Sequence, residues 1–252
     1  MKKVYKLISM LLIMSFCIQL TVSASVTELD KKWKALESIS EKNTFKVLSN
    51  DESEDSVLES YSNKLDNMTV EELNAYIDKA QKSTEKSPST DEEAYWSNLT
   101  IRVAWLAAAK ILQKSGYPCA GKMLEYAVRG KKYSESTSGS GMFAKKIIPL
   151  SKFKTAINVA RKSKDNPYKT SISFMKSDNK DLYYSLHNVN MSVKKYKSGN
   201  VTKCMAVISD TYDFAPMIYS NIFTTCVNNA AWLSMKKGIL KSFKITITIK
   251  AL

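Results

Sequence analysis

The stretch from Asp181 to Asp213, DLYYSLHNVNMSVKKYKSGNVTKCMAVISDTYD, decides the fold. Val189, Met191 and Val193 alternate with polar residues, Cys204, Ala206 and Ile208 do the same, and Ser198-Gly199 stands between the two runs. A period of two sends every second side chain to one face, so the pattern is that of a half-buried β-hairpin. With Ser198 and Gly199 as a two-residue loop, Lys197 faces Asn200, Val193 meets Cys204, Met191 meets Ala206 and Val189 meets Ile208. His187, the only histidine of the chain, then falls opposite Asp210 on the apolar face. Tyr212 and Asp213 follow just beyond the strand end.

Outward from the hairpin, FKITITIK (residues 243–250) alternates almost perfectly and predicts a strand added to it. The segment 222–236 has helical spacing and is closed by Gly238. On the N-terminal side, SKFKTAINVARKS reads as a short helix with a basic exposed face, Ser171–Met175 as a strand, and Ser177–Leu186 as a short helix capped by Ser177 or Asp178. The longest helix opens at Thr90 before Asp91, Glu92 and Glu93, carries Trp96, Leu99, Val103, Leu106 and Leu112 on one stripe, and stops at Gly116. Tyr117-Pro118 starts the next, which Gly130 ends. Thr69 before Glu71 and Glu72 marks a further helix start. Helices and strands are segregated along the chain rather than alternating, so the expected class is α+β, a helical N-terminal part followed by a small antiparallel sheet with packed helices.

At the N-terminus, Lys2, Lys3 and Lys6 precede ISMLLIMSFCIQL and then Val22-Ser23-Ala24. A basic start, a short apolar run and small residues at the cleavage position predict a secretory signal peptide over 1–24, and hence a secreted, extracellular chain without a transmembrane segment. A helical region is expected over 25–132, a flexible Ser/Gly-rich linker over 133–141 (YSESTSGSG), and a basic α+β domain over 142–252. Processing at that linker is an alternative reading, with the acidic half masking the basic one. Three cysteines remain beyond residue 24, so a disulfide scaffold is excluded. Either Cys204 bridges Cys226, or Cys119, Cys204 and Cys226 are buried thiols.

Charge is distributed unevenly. Residues 25–100 hold 9 Lys/Arg against 17 Asp/Glu, whereas residues 101–252 hold 26 against 7. A cationic half of this size raises association with anionic surfaces. For an exported chain the expected partner is an anionic envelope polymer or lipid surface, with the bacterial cell envelope the leading candidate. KKIIPLSKFK, YKTSISFMK and KKYK interleave bases with aromatics as in single-strand binders, but an envelope surface is a simpler target than nucleic acid outside a cell.

The residues with chemistry to offer are His187, Asp210, Tyr212 and Asp213. An imidazole facing a carboxylate suits a general base. Asp210 and Asp213, with a phenol between them, could position water at a phosphoryl group, hold a hard divalent cation, or simply cap a turn. No cofactor is required by any motif: one histidine and no Cys-x-x-Cys leave no closed zinc set, and no phosphate-binding glycine loop or nucleophile elbow is present.

A strand running into Asp210-Thr-Tyr-Asp213 resembles the active-site motif of colicin M-type bacteriocins, secreted toxins that cleave the lipid-linked peptidoglycan precursor. The resemblance implies a toxin-like hydrolase of phosphoryl-linked envelope precursors, with Asp210, Tyr212 and Asp213 carried over. In that family a His-Arg pair follows the motif. Here the sequence continues FAPMIYSN, with Tyr219 and Ser220, so His187 would have to serve from the facing strand. The likeness covers these few residues of the C-terminal half.

Overall fold

The computed structural model describes residues 54–83, 91–215 and 222–250. The signal peptide expected over 1–24, the beginning of the helical region expected over 25–132, and residues 84–90 lie outside these. Among the described residues the chain holds eight helices and one five-stranded mixed sheet, an α+β architecture. They fall into two compact units, residues up to Lys114 with Phe214–Lys241, and Ser115–Asp213 with Ser242–Leu252.

The first unit is helical. Its elements are α1 (Glu54–Asp66), α2 (Val70–Ser83), α3 (Asp91–Lys114) and, after the chain returns, a helix over Ile222–Lys236. The start of α2 is a reciprocal capping box: the Glu72 N–H donates to Thr69 Oγ1 (3.3 Å) and the Thr69 N–H to Glu72 Oε2 (2.8 Å). Such a pair satisfies two of the orphan amides of a helix start and contributes about 1 kcal/mol. Helices α1 and α2 both pack on α3. Val57, Leu58, Leu65, Leu73, Val103 and Leu106 are buried there. The Trp105 indole N–H donates to Ser234 Oγ of the returning helix (3.1 Å).

The second unit begins with α4 (Pro118–Arg129), which has Pro at its first position and ends at Gly130, whose φ of +66° supplies the left-handed stop. Then come β1 (Tyr133–Thr137), α5 (Ala144–Ile147), α6 (Ser151–Lys162), β2 (Tyr168–Ser173), α7 (Lys180–Ser185), β3 (Asn188–Ser198) and β4 (Val201–Tyr212). The helix over Ile222–Lys236 is α8, and β5 (Phe243–Ile249) closes the sheet. Strand order is β1-β5-β4-β3-β2, antiparallel except for the parallel β1–β5 edge. Helix α6 lies over β2, β3 and β4 and buries Phe153, Ile157 and Ala160. Val189, Met191, Val193, Cys204, Ala206, Ile208, Ile245, Ile247 and Ile249 form the inward rows of the sheet.

The hairpin exists, but its register differs from the expected one. Ser198 pairs with Val201 and Met191 with Ile208, so the loop is Gly199-Asn200 rather than Ser198-Gly199. Gly199 takes the first loop position with φ +61°, where a two-residue hairpin favours glycine. The shift also has an electrostatic reason. The expected register would set Lys194 directly opposite Lys203, whereas the observed one pairs Lys194 with Met205 and Lys203 with Tyr196. The displacement is an even number of residues, so both inward rows keep their face.

Residues 133–141 do not behave as the expected linker. Tyr133–Thr137 is paired along its whole length with Ile245–Ile249. The glycines and serines after it are organised by Thr137 Oγ1, which accepts from the N–H groups of Gly139 (3.1 Å), Ser140 (2.9 Å) and Gly141 (3.1 Å). The Glu135 carboxylate accepts from Tyr133 Oη (2.9 Å) and from the N–H groups of Phe143 (3.2 Å) and Ala144 (3.1 Å) at the start of α5. This contact needs glycine at 141: a Cβ there would come within 2.0 Å of Glu135 Oε1. Gly141→Ala should therefore expel the carboxylate from its amides and destabilise the protein by about 1–3 kcal/mol, the cost of orphaned buried groups. In a Glu135→Ala background the same substitution should cost much less, which a double-mutant cycle by urea unfolding measures.

Candidate functional site

The four residues singled out by sequence do not form one site. His187 is not a strand residue. It sits at the α7–β3 junction with φ +45°, the one described non-glycine residue in the left-handed region. Its carbonyl accepts from the Phe174 N–H (2.6 Å), and its ring packs edge-on against Tyr183, centroids 5.0 Å apart. The β3–β4 ladder starts at Asn190–Ser209. Continued in the same register, it would set Val189, not His187, across from Asp210. The imidazole and the carboxylate are thus not opposed partners, and the base expected at the hairpin rim is absent from it.

Asp210 does lie on the inward row, between Ile208 and Tyr212 and paired with Ile245 of β5. It is half-buried. Burial pushes its carboxyl up to about 6 and the negative charge of Asp213 adds to this, against the Thr211 N–H, which donates to Oδ1 at 2.8 Å and favours the ionised form. Asp213 is exposed just past the strand. Tyr212 is a core residue: its ring stacks at a tilt on Phe243 (5.2 Å) and continues an aromatic series through Tyr126, Tyr133 and Phe143. Of the expected set, then, Asp210 and Asp213 remain together, Tyr212 serves packing and His187 serves the α7–β3 turn. Among the described residues no group of three or more His, Cys, Asp or Glu is gathered for a metal ion.

Cys204 is a buried free thiol, as is Cys119, so the expected Cys204–Cys226 bridge is not made; the Cys226 side chain lies outside the described residues. On the inward row Cys204 pairs with Lys195, whose ammonium reaches the Ser163 carbonyl at the end of α6. The Cys119 thiol is pushed up by burial and then by Asp181, which leaves it protonated and unreactive at neutral pH.

The pattern that sequence reading did not find is where the carboxylates go. The sheet-bearing unit holds 20 Lys/Arg against 7 Asp/Glu. Four of the seven are spent inside it. Asp181 is buried and accepts from the first amides of α4, Cys119 N–H (3.0 Å) and Ala120 N–H (2.9 Å), with Lys146 Nζ at 3.2 Å. Glu125 lies between Lys122 (3.2 Å) and Arg129 (3.0 Å). Glu135 holds the start of α5. Asp178, expected as a helix cap, instead takes Lys152 Nζ and the Met175 N–H, which hold its carboxyl low, while Asn179 caps α7. What faces water is left strongly cationic.

Seven of the 20 cations come together at one end of the unit. The Asn166 side chain exchanges two hydrogen bonds with the Lys195 backbone (2.8 and 3.1 Å). This contact and the Lys195–Ser163 contact tie the C-terminus of α6, with Arg161, Lys162 and Lys164, to the hairpin end, with Lys194, Lys195, Lys197 and Lys203. Cations are also favoured at a helix C-terminus by its dipole. Comparison of the chain with protein-family models, with curated proteins and with solved structures finds no significant match.

The Asp210 geometry has a pH signature. Because the folded carboxyl holds its proton more tightly than the unfolded one, the stability it contributes is fully present below about pH 4 and is lost as pH rises through about 6. Discounted for its partial exposure, the loss is about 1–2 kcal/mol. Urea unfolding between pH 4 and 7 should show that slope in the wild type and a flatter one in Asp210→Asn. Asp178 acts in the opposite direction in both proteins, so their difference isolates Asp210. Parallel profiles would contradict the buried-carboxylate account.

Proposed function

We propose that the protein is exported and that its sheet-bearing unit binds an anionic extracellular surface, of which the bacterial cell envelope is the leading candidate. The observation that carries this reading is the one-sided use of charge: most carboxylates are consumed by helix starts and internal ion pairs, while cations gather at the hairpin end. Like charges held together lower the stability of a compact unit, and an anionic partner offsets that cost. The basic start, apolar run and Val22-Ser23-Ala24 of the N-terminus support export. No helix of the described residues is long and apolar enough to cross a membrane.

A toxin-like hydrolase of phosphoryl-linked envelope precursors is the second reading. One observation favours it: Asp210, beside Asp213, titrates near the pH at which an acid–base group works. It lacks the imidazole that the expected hairpin register would have supplied. Hydrolysis of a lipid-linked precursor by the wild type, lost in Asp210→Asn, would establish it; no turnover by either protein removes it.

The binding reading is tested with the chain from Ser25, purified cell walls, and vesicles with and without anionic lipid. Binding to the anionic targets should be measurable at 50 mM salt and fall at least tenfold by 200 mM, as contacts to several anionic groups require. Equal retention on neutral and anionic targets, or salt-independent binding, would overturn it.

A further inference from the structure

The outward face of the sheet is built from the residues that alternate with the buried rows, and it carries no carboxylate on any described strand. Hydroxyl, amide and lysine side chains make up most of it. Three of the lysines are in line. Lys169 of β2 pairs with Ser192 of β3, and Lys194 lies two residues further along β3. Lys194 in turn pairs with Met205 of β4, and Lys203 lies two residues from Met205 in the same direction, toward the hairpin loop. Lys169, Lys194 and Lys203 therefore occupy successive diagonal positions on three adjacent strands, with Cα separations of about 7–8 Å per step. Lys169 and Lys194 are exposed and Lys203 is half-exposed beside Tyr196.

The diagonal placement spares the lysines a direct opposition but keeps them within reach of one another, and no acidic residue of the described strands on this face offsets their charge. A stripe of this kind is complementary to a line of regularly spaced negative charges. We infer that Lys169, Lys194 and Lys203 seat a linear phosphodiester polymer of the teichoic type, laid diagonally across the open face of the sheet, with the hydroxyls of Ser171 and Ser192 beside it as donors. This rests on the envelope-binding reading above and names its partner and its seat.

Two other polyanions fit the same face less well. A lipid bilayer is held at its surface by cations together with an apolar face, and among the described strand residues of this face the one large exposed apolar side chain is Val201 at the hairpin loop. Single-stranded nucleic acid is held by successive aromatic platforms, and Tyr196 is the one aromatic residue among the described strand residues of this face.

The test compares the chain from Ser25 with a stripe variant, Lys169→Gln/Lys194→Gln/Lys203→Gln, and with a control of equal charge loss on helical segments of the same unit, Lys145→Gln/Lys154→Gln/Lys180→Gln. The probes are poly(glycerol phosphate), vesicles containing phosphatidylglycerol, and a thymidine homopolymer, at matched phosphate concentration. The stripe variant should bind poly(glycerol phosphate) at least tenfold more weakly, and the slope of log K against log salt should flatten by about two, as the loss of three phosphate contacts at about 0.7 each requires. The control should change less than threefold. The stripe variant should also melt at the wild-type temperature or above it, since repulsion has been removed. Equal weakening by both variants would overturn the stripe while leaving envelope binding intact. So would a wild type that prefers vesicles or the homopolymer, or a stripe variant that melts well below the wild type. A wild type that binds none of the three probes would remove both readings.

Discussion

Two glycine-stabilised loop residues between β3 and β4 fix the alignment of the longest pair of strands, and nearly everything of functional interest follows from that alignment. The even displacement from the alternative register preserves the buried rows, so the hydrophobic core alone would accept either. What separates them is the loop, where Gly199 meets the positive φ, and the charge, since the alternative would set two ammonium groups face to face. The chosen alignment turns that opposition into a diagonal. It also leaves Asp210 without an imidazole across from it.

The second recurring theme is the placement of carboxylates. An acid close to a helix start meets unpaired amides and the positive end of the dipole. Asp181 and Glu135 both exploit this, one for α4 from a distant helix and the other for α5 from the neighbouring strand. Their negative charge is neutralised in the act of holding the fold. A chain with few acids in this region and most of those committed internally presents its lysines to water with little compensation, which is how a structural economy becomes a surface property.

Local chemistry was legible in the sequence. The Thr69–Glu72 box, Pro118, Gly130 and the alternation of 243–249 each announce their element within a few residues, and the elements lie where those signals put them. Contacts that join distant residues were not legible. Nothing near Asp181 signals that its carboxylate caps a helix 62 residues earlier. The stretch YSESTSGSG has the composition of a linker, and only the Thr137 and Glu135 acceptors, together with the β5 partner strand, convert it into a paired edge and a knit turn. A loop placed one residue earlier shifts every opposed pair by two. That shift alone would set His187 against Asp210, whereas in the structure His187 packs on Tyr183 from the preceding helical turn.

The charge stripe and the loss of the imidazole from the Asp210 rim are two consequences of one register. The most direct measurement is therefore a set of backbone nuclear Overhauser contacts between β3 and β4 in the isotopically labelled chain. The account predicts cross-strand contacts of Tyr196 with Lys203, Lys194 with Met205 and Met191 with Ile208. Contacts of Lys194 with Lys203 and Met191 with Ala206 would contradict it, and would restore the facing histidine and aspartate on which a hydrolase depends.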